Sequence, residues 1–180
     1  MKKNILIFLL SAVIIVLAVF GFNYYKKPVN ENLNVNNNVN DNGNQVKKLA
    51  TDLTVKVFLG NEQFNPNAMD CSLVYPVERK VAVTPAIARA ALNSLLLGPS
   101  NTEKQNGYYT SLNTGVSINS LKIENKTAYV DFDNQLEQGV GGSCRVLAIA
   151  SQIRATLMQF DTVENVVISI DGRTEDILQP

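Results

Sequence analysis

The chain has no histidine and no tryptophan among its 180 residues. Without histidine, the commonest general base and the commonest transition-metal ligand are both missing. Cysteine is nearly absent too: Cys71 and Cys144 are the only two. Neither their spacing nor their neighbours resemble a metal-binding pattern. There is no excess of one charge over the whole chain, with 16 Lys+Arg against 16 Asp+Glu. The parts differ, however. Residues 51–180 carry 10 Lys+Arg and 14 Asp+Glu, a net of −4, which argues against nucleic acid as a partner.

One long apolar run stands out. Ile5–Phe22 holds 18 residues without a charge, behind Lys2-Lys3 and ahead of Asn23-Tyr24-Tyr25-Lys26-Lys27. As a helix it would extend roughly 27 Å, close to the hydrocarbon thickness of a thin bilayer. Three readings compete. A cleaved signal peptide calls for a shorter core and a small-residue cleavage site. A lipoprotein calls for a cysteine at the end of the run. An uncleaved signal anchor over residues 1–25 fits best, with the tyrosines and lysines at the interface. The short N-terminal tail then stays in the cytoplasm, and the rest of the chain lies on the other side of the membrane.

Residues 26–50 form a second region. Nine of the fifteen residues in Asn30–Asn44 are asparagine, and Leu33, Val35 and Val39 are too few to offset the ordering of the backbone. This composition predicts a disordered tether. Residues 51–180 then make one ordinary domain, large enough to bury a core without metals.

Periodicity within that domain alternates between two and roughly three and a half. Val55, Val57 and Leu59 share one face of a strand. Leu73–Val83 alternates again, with Pro76 marking an edge or a bend. Thr84-Pro85 opens a helix whose stripe is Ile87, Ala91, Leu92, Leu95 and Leu96, and Gly98-Pro99 closes it. Ser100–Gly115 reads as a loop with one short turn of helix. Val116–Glu124 and Thr127–Asp133 read as a hairpin around Asn125-Lys126, with Leu121, Ile123, Ala128, Val130 and Phe132 inward.

The stretch Ser143–Phe160 organises the rest. Val146, Ile149, Ile153, Leu157 and Phe160 recur at steps of three and four, which predicts one dry stripe. Arg145, Ser151, Gln152, Arg154 and Gln159 fall mostly elsewhere, and Ser143 is the expected N-cap. Val166, Ile168 and Ile170 then share a strand face that ends at Asp171-Gly172. The order β-β-α-β-β-α-β predicts an α+β domain, a mixed sheet with two main helices on one face.

The segments VFL, PVERKVAV, LLLGP, TAYVDF, SQIRATLMQF and VVISIDG occur in that order. Together they resemble the GerMN domain of bacterial sporulation and germination proteins, over about residues 53–172. The resemblance implies a fold similar to ring-building modules of spore-envelope assemblies. It also implies an extracytoplasmic location, a partner that is an envelope protein or a like module, possible oligomer formation, no cofactor and no catalytic activity.

Several residues remain as candidate sites. In an extracytoplasmic domain, Cys71 and Cys144 suggest a disulfide, the rival being a reactive Cys144 thiol at a helix start. Arg79 faces inward if alternation survives Pro76, and then needs a carboxylate such as Asp131 or Asp133. If Pro76 forms a bulge, Arg79 turns to solvent instead. The family pattern places an arginine here, which favours an ion pair. Asp131 and Asp133, two apart on one strand face, also have a spacing that could hold a cation or a carboxylate pair for acid–base chemistry, the alternative being a solvated strand face. Gly141, Gly142 and Ser143 precede a helix and offer amides to an anion, although the Gly139–Ser143 stretch lacks the lysine of a phosphate loop. Tyr108 and Tyr109 are the expected exposed aromatic contacts.

The reading that follows is a membrane-anchored interaction domain. Its rivals are a binding module for a small ligand or cell-wall fragment, built on the tyrosines and the glycine turn, and a carboxylate hydrolase.

Overall fold

The computed structural model describes residues 51–179. The expected signal anchor and tether, residues 1–50, lie outside the described residues. Among the described residues, no helix is long and apolar enough to cross a membrane.

Among the described residues, six strands and three α-helices follow one another. β1 (Asp52–Asn61) and β2 (Tyr75–Ala82) lead into α1 (Ile87–Leu96) and the short α2 (Asn101–Gln105). The two-residue β3 (Tyr108–Tyr109) precedes β4 (Ile118–Glu124) and β5 (Thr127–Phe132). Then come α3 (Ser143–Leu157) and β6 (Asn165–Ile170). The α+β class and the order of the long elements are as the periodicities predict.

The strands form two sheets rather than one mixed sheet. One has the order β2-β1-β3, the other β4-β5-β6. The first is antiparallel throughout. In the second, β4 and β5 are antiparallel while β5 and β6 run parallel, joined by a crossover through α3. The reason for the division lies at the edge of β1 away from β2. There β3 pairs only with Gly60 and Asn61, and earlier in β1 the backbone meets the side chains of Thr156 in α3 and of Gln159 just past its end. Lys56 N–H donates to Gln159 Oε1 at 2.8 Å, Gln159 Nε2 donates to Lys56 O at 2.7 Å, and Phe58 N–H donates to Thr156 Oγ1 at 3.1 Å. The carboxamide of Gln159 thus takes the place of a peptide unit, and along this part of β1 the pairing ends at the C-terminal end of α3.

Both sheets turn their apolar faces to the same helices. Val57 and Leu59 of β1, Val130 and Phe132 of β5 and Ile168 and Ile170 of β6 join Leu92, Leu95, Ile149, Ile153 and Leu157 in one buried cluster. The predicted stripes of both long helices supply its helical side. Burial of each such side chain contributes about 1.5–3 kcal/mol.

Local signals explain the boundaries. Gly98 has φ +69°, and its N–H donates to Leu95 O at 2.9 Å, which ends α1 before Pro99. Asn125 and Lys126, both at positive φ, form the two-residue turn between Glu124 and Thr127. A register shift between Ile118 and Ser120 brings Ile118 onto the inner face with Leu121. Ile123 shares that face but is 37% exposed, beside the turn that closes the hairpin.

Two expected caps are displaced. Thr84 Oγ1 accepts from Ala86 N–H at 3.1 Å, and α1 begins at Ile87 rather than Pro85. At α3, Gly142 occupies the cap position with φ +82°, and Ser143 is the first helical residue with no capping bond. The glycine can enter the left-handed region that a serine there would resist.

Candidate functional site

The structure distributes the expected site residues over separate places. Cys71 and Cys144 form a disulfide with a Cα–Cα separation of 5.2 Å. It ties the loop between β1 and β2 to the first turn of α3. Cys144 therefore has no free thiol to react.

Arg79 faces inward, because Pro76 introduces no bulge. The β1–β2 register runs unbroken from Asp52↔Ala82 to Leu59↔Tyr75. Its partner is Glu103, however, and neither Asp131 nor Asp133. Arg79 Nη1 pairs with Glu103 Oε1, and Nη2 donates to Glu103 Oε2 at 2.6 Å. The two side chains are 18% and 14% exposed. Glu103 has a second task. With Ser100 it makes a reciprocal capping box at the start of α2, where Ser100 N–H donates to Glu103 Oε2 at 2.7 Å. Burial pushes the Glu103 carboxyl up, but hydrogen bonds from Arg79 and Ser100 outweigh it, and the net shift is downward. The sequence signal for this was the Ser100-Asn101-Thr102-Glu103 spacing of a capping box.

Asp131 and Asp133 tie strands and turns instead. Asp131 Oδ1 accepts from Ser169 Oγ at 2.7 Å and from Gly172 N–H at 2.8 Å. Its Oδ2 accepts from Asn119 Nδ2 at 3.0 Å. Desolvation raises its pKa, yet these three donors win and hold it below the ordinary value. Asp133 Oδ1 accepts from Ser117 N–H at 3.1 Å, at the entry to β4. Among the described residues no cluster of His, Cys, Asp or Glu has the arrangement of a metal site.

Tyr108 and Tyr109 are half-buried, not exposed. They pair with the end of β1, Gly60 opposite Tyr109 and Asn61 opposite Tyr108. The Tyr109 ring lies so close over Gly60 that a Cβ there would fall 2.4 Å from Cζ. Tyr108 packs against the core. Gly141, Gly142 and Ser143 are exposed at the start of α3. Tyr109 borders a depression with Glu62, Pro66, Asn67 and Ala68, whereas Ser143 borders a different one. Tyr109 and Ser143 therefore border separate depressions.

Two features were missed by sequence reasoning. Gln152 and Thr156, expected outside the dry stripe or unassigned, are fully buried on the side of α3 that meets β1. Gln152 Oε1 accepts from Thr110 Oγ1 at 2.8 Å, while its Nε2 has no partner. The second is a groove of 520 Å³ between α3, β6 and the C-terminal segment, lined among others by Val146, Leu147, Ala150, Arg154, Val166 and Ile168.

Solved structures of other proteins resemble this fold. The tandem GerMN domains of the sporulation protein GerM from Bacillus subtilis superpose with a TM-score of 0.51 at 17% identity, covering 68% of this chain and 40% of that one. The chain thus spans about two fifths of that tandem structure. The first GerMN domain of the same protein gives 0.47 at 18% identity, covering 67% and 84%. A putative lipoprotein from Clostridium perfringens gives 0.43 at 14% identity, covering 69% and 78%. No curated protein matches. The family model for sporulation and spore germination matches residues 56–176, most of the chain and nearly all of the described domain. The chain belongs to this sporulation and spore germination family, the family of the GerMN domain.

Proposed function

We propose that this protein is a membrane-anchored, extracytoplasmic domain that binds another protein of the cell envelope and performs no turnover. The observation that carries the binding reading is the use made of the carboxylates. Glu103 is engaged by Arg79 and Ser100, Asp131 by Ser169, Gly172 and Asn119, and Asp133 by Ser117. A carboxylate held below its ordinary pKa by several donors is a poor proton acceptor. This favours binding over hydrolysis by Asp131. The separation of the tyrosines from the glycine turn counts against a ligand pocket built on both.

The disulfide supports a location outside the cytoplasm, since such bonds persist where the surroundings are oxidising. The uncharged run Ile5–Phe22 supports a membrane anchor. The test is cross-linking of the full-length chain in the native envelope, with identification of the captured proteins. One reproducible envelope partner is expected. Location of residues 51–180 in the cytosol, or measurable turnover lost in Asp131→Asn, would overturn the reading.

A further inference from the structure

The four outer strands of the two sheets differ in how open they are, and β3 is only the two residues Tyr108 and Tyr109. β2 carries Pro76 and the charges of Glu78, Arg79 and Lys80, which discourage pairing. β4 is interrupted by its register shift and is bordered by Lys122 and Glu124. β6 has no proline, no charge and no bulge from Asn165 to Ile170.

The ladder shows which groups of β6 remain open. Asn165 N–H donates to Lys126 O and Asp171 N–H to Phe132 O, so the odd-numbered residues face β5. The even-numbered residues direct their N–H and C=O groups to the other edge. Ile170 is satisfied there by Arg173, through bonds of 2.9 and 3.0 Å. Val166 and Ile168 have no such partner among the described residues. Both line the groove against α3, where unpaired backbone groups next to an apolar wall are costly.

The groove also contains one cation. Arg154 is exposed on its wall and takes part in no ion pair among the described residues. Beside it, Val146, Leu147 and Ala150 present apolar surface, Leu147 being 44% exposed.

We propose that the edge of β6 and the groove beside it receive an extended segment of a partner protein, which adds a strand along Val166–Ile168 and sets an acidic side chain against Arg154. The backbone groups of Val166 and Ile168 bond the incoming chain. Its alternate apolar side chains lie on Val146, Leu147 and Ala150. The turn at Asp171-Gly172 and the bond between Ile170 and Arg173 stop the added strand, which limits it to three or four residues of pairing. This site rests on the interaction reading above and assigns it a surface and a chemical class of partner.

The test uses the full-length chain in detergent and a capped peptide, Ser-Val-Thr-Val-Glu-Ile-Ser, followed by fluorescence anisotropy. Saturable binding is expected. N-methylation of two peptide amides on the pairing edge should weaken it about tenfold or more, given about 1 kcal/mol for each hydrogen bond lost. Val166→Pro removes an N–H that serves no internal bond, so it should fold and bind at least about threefold more weakly. Arg154→Glu, an exposed change that keeps the fold, should reverse the preference for glutamate over lysine in the peptide.

Absence of saturable binding, or binding unchanged by N-methylation and by Arg154→Glu, overturns the site. So does a dimer in sedimentation that Val166→Pro disperses, since a second copy would then hold the edge. Native-envelope cross-linking separates the two levels. If Val166→Pro and Arg154→Glu both capture the wild-type partner undiminished, the site falls and the interaction reading stands. If the wild-type chain captures no envelope protein, the interaction reading itself falls.

Discussion

At the scale of single residues, the Arg79–Glu103 pair decides the most. A carboxylate that holds a guanidinium in two places and caps a helix cannot be neutralised without leaving a mostly buried cation unpaired. Glu103→Gln should destabilise the domain by about 1.5–3 kcal/mol, as read from urea unfolding. Arg79→Lys should also destabilise it, because an ammonium cannot make the paired contact. The same geometry fixes a pH dependence. Glu103 and Asp131 have folded pKa values below their ordinary 4.5 and 3.8. A depressed carboxylate contributes stability that is fully present above its unfolded pKa and is lost as pH falls through the folded one. The melting temperature should therefore hold steady near neutrality and drop below about pH 4.5, with a shallower drop in Glu103→Gln. An equal slope in both proteins would contradict this assignment.

Residue-level legibility was uneven for a physical reason. Gly98, Asn125-Lys126 and Asp171-Gly172 were readable because each needs only its own backbone conformation. The partner of Arg79 was not, because Glu103 lies 24 positions away on a five-residue helix with no apolar stripe to announce it. The burial of Gln152 was hidden similarly: its polarity suggested water, and only the approach of β1 and Thr110 encloses it.

At the scale of elements, α3 acts as a sheet terminator as well as a core helix. Its apolar stripe was legible from a period of three and four. The polar pair of Thr156 near its end and Gln159 just past it was not, since nothing in the local sequence shows a strand edge about 100 residues upstream. Gln159→Ala should cost about 1–2 kcal/mol and speed hydrogen exchange at the Lys56 amide. The Val57 amide, which faces β2, should keep its protection except through global opening. Equal acceleration at both amides would mean that Gln159 acts through overall stability alone. The division into two sheets follows from the same contacts, so a single mixed sheet was the natural expectation from strand patterns that carry no record of which edge is blocked.

At the scale of the whole molecule, the disulfide spans 73 positions and joins an early loop to the last helix. In the chain-entropy picture a closure of this length contributes about 4 kcal/mol. Paired Cys71→Ser and Cys144→Ser replacements should lower stability by about that amount, and reduction of the wild-type protein should match them. A change near zero would show that the reduced chain already keeps these segments together. The class of fold and the family were legible because ordered motifs cover most of the domain. The groove beside β6 was not, since it arises where α3, β6 and the C-terminal segment meet, and no one of them shows it alone.

Because Lys56 and Phe58 of β1 are covered on one side by Gln159 and Thr156, and β3 pairs only with Gly60 and Asn61, most of that side must wait for nearly the entire domain to be synthesised before it is covered. A ribosome paused anywhere before α3 would hold a nascent β-hairpin with a bare flank. For this fold the vulnerable interval in biogenesis is long, and it ends only when the final helix arrives.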